Sequence, residues 1–209
     1  MVNKSIDING LVDLLADQQG RQITAVAGPP GAGKSTLAEA IVERLNATRA
    51  GLAAVFPMDG YHFDDRVLNE RGHRPRKGAP HTFDVAGYAH MLKRLKANTE
   101  TEIAVPVFDR SIEIARAGAR IIPASVQHII TEGNYLLLDR EPWSSLQPLF
   151  DRTIFIDVPR PIIEQRLLDR WQDLDPAAQR QKIAGNDLPN VDLVISHSRA
   201  ADFTITTAG

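Results

Sequence analysis

The sequence predicts an α/β fold, a three-layer sandwich built around a mostly parallel central sheet. Three observations predict it. Short apolar, β-branched runs alternate with helical stretches, the pattern of strands joined by helical crossovers. A glycine-rich pattern, G-x-x-x-x-G-K-[ST], stands between the first buried run and the helix after it. No break in composition divides the 209 residues, so the chain reads as one domain over 1–209.

Taken in order, Asn9 to Gln19 reads as a first helix with Leu11, Leu14 and Leu15 on one face. Gln22 to Ala27 is a buried strand. Ser35 to Leu45 is helical, with Leu37, Ile41 and Leu45 spaced by four. Leu52 to Met58 is a second strand. The stretch from Asp59 to Pro80 is polar and too long for a simple connector, and loops of that length are usually functional or mobile. Asp84 stands where an N-cap would stand for a helix running to about Lys96. Ile103 to Phe108 and Arg120 to Ile122 read as shorter strands at a sheet edge. His128 to Thr131 and Thr153 to Val158 are buried strands. Pro161 opens a helix that carries Ile163, Leu167, Trp171 and Leu174 on one stripe. On that stripe Trp171 reads as a core anchor, not as a base-stacking platform. Asp202 to Thr206 is the last strand.

Composition excludes several classes. Apolar residues make up 43% and charged residues 24%, which argues against disorder and fibrous repeats. The formal net charge of -2 argues against a nucleic-acid partner, which would call for a basic surplus. The chain has no cysteine, so disulfides, thiolate zinc sites and cysteine nucleophiles are excluded. No run approaches the ~18–20 apolar residues that cross a bilayer, so membrane insertion is not expected. Asp7, Asp13 and Asp17 interrupt what a signal peptide would need as its apolar stretch. The expectation is a cytoplasmic protein with Met1 as a true start.

The sharpest signal is Gly28-Pro29-Pro30-Gly31-Ala32-Gly33-Lys34-Ser35-Thr36. Glycines let the backbone turn so that successive N–H groups face phosphate oxygens. The helix opening near Lys34 adds the positive end of its dipole. Lys34 supplies a point charge to the β- and γ-phosphates, and the Ser35 hydroxyl is a magnesium ligand. The bland alternative is a glycine turn joining strand to helix. Two carboxylates stand at later strand ends, where ligands gather in open parallel sheets. Asp59, in Met58-Asp59-Gly60-Tyr61-His62-Phe63, can accept the proton of an attacking hydroxyl or simply form an Asp-Gly turn. Glu132 ends the apolar run His128-Ile129-Ile130-Thr131, and either holds magnesium or is a rim carboxylate without metal.

With the phosphate loop and Met58-Asp59-Gly60, three further segments follow in order. They are Lys77-Gly78-Ala79-Pro80-His81-Thr82-Phe83-Asp84, Pro106-Val107-Phe108-Asp109-Arg110 and Glu132-Gly133-Asn134-Tyr135. Together the set resembles the superfamily of phosphoribulokinase, uridine kinase and bacterial type I pantothenate kinase. Within it the likeness is nearest to bacterial fructose transport system kinases and nucleoside-kinase-like proteins. The resemblance runs from about Gln22 to Thr206. It implies the P-loop nucleoside triphosphate hydrolase fold with a helical lid at about 160–190. It also implies ATP and Mg2+, and a small hydroxylated substrate. Asp59 then becomes the candidate catalytic base. Asp84 would touch acceptor hydroxyls, against its reading as a helix cap. Asp109 and Arg110 join the candidate substrate contacts. Arg166 and Arg170, four apart on one helix face beyond Arg160, would clamp the transferring group. Otherwise they are a surface arginine pair.

Two departures bear on the acceptor. Pantothenate kinases carry Tyr-Ser-His where this chain has Phe108-Asp109-Arg110, and a Tyr and His typical of uridine kinases have no match here. The resemblance ranks a sugar-like acceptor first, a nucleoside second and pantothenate third. Arg71, Arg74, Arg76 and Lys77 crowd one loop with His73 and His81, as an anion-holding loop or a solvated one. Asn186-Asp187-Leu188-Pro189-Asn190 is a polar turn with no role readable from its chemistry. Two rivals from other classes remain. A GTPase would want N-K-x-D, which is absent, although Asp84-Val85-Ala86-Gly87 fits D-x-x-G. A non-catalytic nucleotide-binding regulator would have no use for the pairing of Asp59 with Glu132.

Overall fold

The computed structural model describes residues 4–18 and 20–206. In chain order its elements are β1 (Lys4–Ser5), α1 (Ile8–Ala16), β2 (Gln22–Ala27), α2 (Lys34–Thr48), β3 (Ala53–Pro57), α3 (Asp65–Glu70) and α4 (Val85–Ala97). Then come β4 (Glu102–Asp109), β5 (Ile114–Pro123), β6 (His128–Gly133), β7 (Arg152–Asp157), α5 (Arg160–Arg170), α6 (Pro176–Lys182), α7 (Leu188–His197) and β8 (Phe203–Thr206). Six strands form a parallel sheet in the order β1-β8-β7-β2-β6-β3.

The central strands β2 and β6 are buried almost throughout because helices cover both faces of the sheet. Side chains alternate across the pleat. Ile23, Ala25 and Ala27 of β2 join Phe56, Ile129 and Tyr88 and Leu92 of α4 on one face. Val26, Ile130 and Ile154 meet Ala38, Ile41 and Leu45 of α2 on the other, with Ile163 and Leu167 of α5. Those α5 residues are fully buried, so α5 belongs to the core layer. Among the described residues, no helix is long and apolar enough to cross a membrane.

Several boundaries differ from expectation. Asp7 Oδ1 accepts from the Gly10 N–H at 2.8 Å and starts α1, which ends at Ala16. The expected end, Gln19, lies outside the described residues, as does Met1. The stretch from Asp59 to Pro80 is not an open loop. It holds a 3₁₀ turn over Met58–Tyr61, then α3, then short turns at Arg74–Arg76 and Pro80–Thr82. The two expected edge strands instead form an antiparallel hairpin, β4 with β5, separate from the main sheet. Its second strand spans Ile114–Pro123 and not only Arg120–Ile122. The Ala-Arg-Ala-Gly-Ala-Arg run of β5 has weak strand preference, and the pairing with β4 supplies what propensity lacks. Ile103, Val105 and Ile122 root the hairpin in the core. The helix opened near Pro161 stops at Arg170 rather than reaching Leu174, which is 39% exposed. Asp175 then caps α6 by accepting from Ala177 and Ala178. The expected polar turn at Asn186–Asn190 is a π-helical turn over Ile183–Asp187 that runs into α7.

One close approach positions the turn that carries Asp59. A Cβ at Gly60 would lie 2.5 Å from the Pro106 carbonyl oxygen of β4. Backbone cannot yield as a flexible side chain does. Gly60→Ala is therefore expected to cost about 1–3 kcal/mol, as overpacking does. Thermal unfolding would read this as a Tm lower by several degrees, and an unchanged Tm would contradict the close approach.

Candidate active site

Three neighbouring strands deliver the site. β6 lies between β2 and β3, with Glu132 level with Val26 on one side and Pro57 on the other. The phosphate loop leaves the end of β2, Glu132 sits near the end of β6, and Asp59 follows β3. On the other side of β2, β7 feeds α5 and its arginines. All of these ends lie on one rim because the strands are parallel.

The loop has the geometry its glycines permit. Gly31 and Gly33 take φ of +81° and +90°, values that side chains resist. Gly33 is the N-cap of α2, so Lys34 begins the helix. Lys34 is buried, and its Nζ donates to the Pro29 carbonyl at 2.9 Å. Burial pulls its pKa down to about 8, although Glu132 and Asp59 draw it upward. The Ser35 hydroxyl donates to Glu132 Oε1 at 3.2 Å. Burial, reinforced by Asp59, pushes the Glu132 carboxyl up to about 7. A hydroxyl and a carboxylate in contact are hard oxygen donors of the kind magnesium takes beside substrate phosphates. The residues present therefore fit a magnesium–nucleotide complex.

Asp59 Oδ2 accepts from Arg110 Nη2 at 2.7 Å. His62 Nδ1 lies 2.8 Å from the Asp59 carbonyl oxygen. Burial favours the protonated carboxyl of Asp59, but His62, Arg110, Lys34 and Arg170 outweigh it and hold its pKa below the ordinary value. Asp59 is thus ionised at neutral pH and free to accept a proton.

These groups line a cleft of about 350 Å3. Pro30, Gly31, Gly33, Lys34, Ser35 and Thr36 border it from the loop, and Asp59, Arg110, Glu132 and Arg170 from the other walls. Gly28, Pro29 and Ala32 shape the loop from behind. Arg166 is not on the cleft wall. Its Nη1 donates to the Gly31 and Ala32 carbonyls at 3.2 and 3.4 Å, so it braces the loop. Asp84 and Asp109 also lie outside the cleft lining. Asp84 Oδ1 accepts from Gly87 N at 2.9 Å and caps α4, which accounts for the D-x-x-G match. Asp109 accepts from Ser111 and Arg116.

The basic loop is largely occupied with itself. Arg74 and Lys77 share Asp65 at 2.7 and 2.6 Å. Arg76 donates to Asn186 and Asn190, and Arg71 lies over Phe63. Of these only Arg74 and Lys77 face the cleft. Asn186 further donates to the Lys77 carbonyl at 2.9 Å. The polar turn thus ties the basic loop to the end of α6, a link that no local sequence signal could carry.

Sequence reasoning missed the far wall, formed by Trp171, Lys182 and Asp187 with Glu113. Trp171 does pack against the core cluster that holds Ile163 and Leu167, as expected of a core anchor, and it also borders the cleft. It caps α5 half-buried, and its indole N–H donates to Asp187 Oδ2 at 2.6 Å.

No family model matches the chain. The chain is 36% identical over 191 residues to Escherichia coli (strain K12) protein YggC, described as uncharacterised, covering 90% of this chain and 78% of that one. It is 32% identical over 167 residues to a candidate uridine kinase of Schizosaccharomyces pombe, covering 78% and 71%. Among solved structures, a candidate fructose transport system kinase from Silicibacter sp. TM1040 superposes with a TM-score of 0.87 at 39% identity, over 96% of this chain and 99% of that one.

Proposed function

The chain belongs to the P-loop kinases of the uridine kinase and pantothenate kinase type, and from that premise we propose that it transfers the γ-phosphoryl group of ATP to a hydroxyl of a sugar-like small metabolite. Membership makes it a phosphotransferase with an alcohol acceptor that uses ATP. The sugar-like acceptor and the roles of individual residues are our reading. The observation that carries the residue roles is the convergence of Lys34, Glu132 and Asp59 in one cleft, and the sugar-like acceptor is supported by the likeness to the candidate fructose transport system kinase.

In this reading the acceptor oxygen attacks the γ-phosphorus in line, the bond to the β,γ-bridging oxygen breaks, and ADP leaves. The acceptor proton passes to Asp59, which Arg110 holds in place. Lys34 and the loop amides hold the phosphates. Ser35 and Glu132 would hold magnesium, which when bound offsets phosphate charge. Arg170 faces the transferring group from the cleft wall, and Arg166 keeps the loop in shape. We place the lid in the portion beyond Arg170, since α6 has no buried residue whereas α5 is anchored in the core. The reading includes a cytoplasmic location, where ATP is supplied.

The test is ADP release with magnesium and ATP across sugars, nucleosides, pantothenate and glycerate. Stimulation by a sugar supports the reading. Stimulation by a nucleoside or pantothenate alone would replace the acceptor, and ATP turnover indifferent to every acceptor would remove it. The pH profile gives an independent check, because kcat/KM reports the free enzyme. A metal-holding carboxylate must be deprotonated, so kcat/KM for ATP is expected to rise through about pH 7 as Glu132 ionises. It is expected to fall above about pH 8 as Lys34 loses its proton and its charge. A profile flat from pH 6 to 9 would contradict both assignments.

A further inference from the structure

The cleft continues past the point of transfer to an end with no role in that scheme. Lys182, the last residue of α6, lines it with Trp171, Arg74, Glu113 and Asp187. Lys182 Nζ lies 5.1 Å and Arg170 Cζ 5.4 Å from the centre of the Trp171 ring. The charges acting on Lys182 are Asp187, Glu113, Arg74 and Arg170. Those acting on Lys34 are Glu132, Asp59, Arg170 and Arg110. The two lysines therefore serve different ends of one cleft, and Arg170 stands between them.

The cations at this end differ in what they already hold. Arg74 and Lys77 share one carboxylate, Asp65. Lys182 is half-buried, yet neither it nor Arg170 comes within ion-pair distance of a carboxylate among the described residues. Five cations, Arg74, Lys77, Arg110, Arg170 and Lys182, meet four carboxylates, Asp59, Asp65, Glu113 and Asp187. Burial also pushes the Asp187 carboxyl up from its ordinary value, while Trp171, Lys182 and Arg170 oppose the shift. Burial pulls the Lys182 ammonium down, although Asp187 and Glu113 draw it upward. A ligand anion would relieve that cost.

We propose that the acceptor is a hydroxylated anion, a polyol bearing a carboxylate or a phosphate, whose anionic group is held by Lys182 with Arg74 while its reacting hydroxyl faces Asp59. The proposal rests on the kinase reading above. The Trp171 ring and Asp187 then meet the hydroxyl-bearing carbon chain, ring against C–H and carboxylate against O–H.

The test uses gluconate and fructose 6-phosphate as anionic probes, fructose as the neutral one and inorganic phosphate as the bare anion. Acceptor-stimulated ADP release reads turnover. Tryptophan fluorescence reads binding without turnover, since Trp171 lines the site and Trp143 is buried in the core. An anionic polyol is expected to act at concentrations where fructose does not, and gluconate against fructose 6-phosphate tells carboxylate from phosphate. Lys182→Met is expected to lower the anionic-over-neutral selectivity by about tenfold or more, the effect of one charge-assisted hydrogen bond. Lys182→Arg, which keeps the charge, is expected to restore most of it. Fructose serving as well as the anions, with Lys182→Met indifferent, would overturn the proposal and leave the kinase reading intact. Inorganic phosphate binding as tightly as the polyols would overturn it too, since the site would then read only a bare anion. Lys182-dependent binding of the anionic polyols with no acceptor-stimulated ADP release would sustain the anion site and sink the kinase reading. Binding of neither anionic polyol would overturn the proposal outright.

Discussion

Asp59→Asn is expected to lower kcat by about 10²–10⁴-fold, the range for loss of a positioned general base. Asparagine keeps the shape of aspartate and can still accept from Arg110, whose Nη2 lies 2.7 Å from Asp59 Oδ2. What it cannot do is take a proton. Binding of ATP should change little, because the phosphate loop is a separate wall of the cleft. The measurement is steady-state ADP release with saturating acceptor, with KM for ATP read in the same series. A large drop in kcat at near-constant KM identifies a residue that acts in the transfer itself. Wild-type turnover in this variant would sink the assignment of Asp59 as base. A small loss would point to a transfer governed by positioning alone, as loose phosphoryl-transfer transition states allow.

Lys34→Met is expected to lower kcat/KM for ATP on the order of 10³-fold, comparable to removing one preorganised donor from a site of developing negative charge. Lys34 is buried against the loop and makes one hydrogen bond, to the Pro29 carbonyl. Burial already disfavours its charged form, as the pKa of about 8 records. Methionine keeps the apolar stem and removes a poorly solvated cation. The free protein should therefore be as stable as the wild type or more so, even as activity collapses. Thermal unfolding beside ATP turnover separates the two effects. A variant that loses stability and activity together would mean that Lys34 serves the fold rather than the phosphates.

Much of this site was legible in the sequence, for identifiable reasons. The phosphate loop, Asp59 and Glu132 each follow a buried apolar strand, and parallel topology puts the ends of such strands on one rim. A local pattern and one topological rule were enough. Trp171 shows the limit of periodicity. Its spacing from Ile163 and Leu167 placed it against the core, where it does pack, but α5 stops at Arg170 and the indole N–H reaches Asp187 at the cleft, which the spacing does not record. Asp84 shows a different limit, since capping a helix and binding a substrate ask for the same residue at the same place.

The sequence by itself determined the α/β class, the buried strands and which residues of the phosphate loop and the strand ends meet in the cleft. These depend on signals within a few residues, namely alternation, glycine freedom and the helix start. Only the tertiary structure decided the far end of the cleft. It joined Arg76 to Asn186 across the chain, set Arg74 and Lys77 on a shared carboxylate, and left Lys182 facing the cleft. Which cation is neutralised and which is free depends on partners distant in sequence. Charge compensation is settled by contact in space, and no local pattern records it.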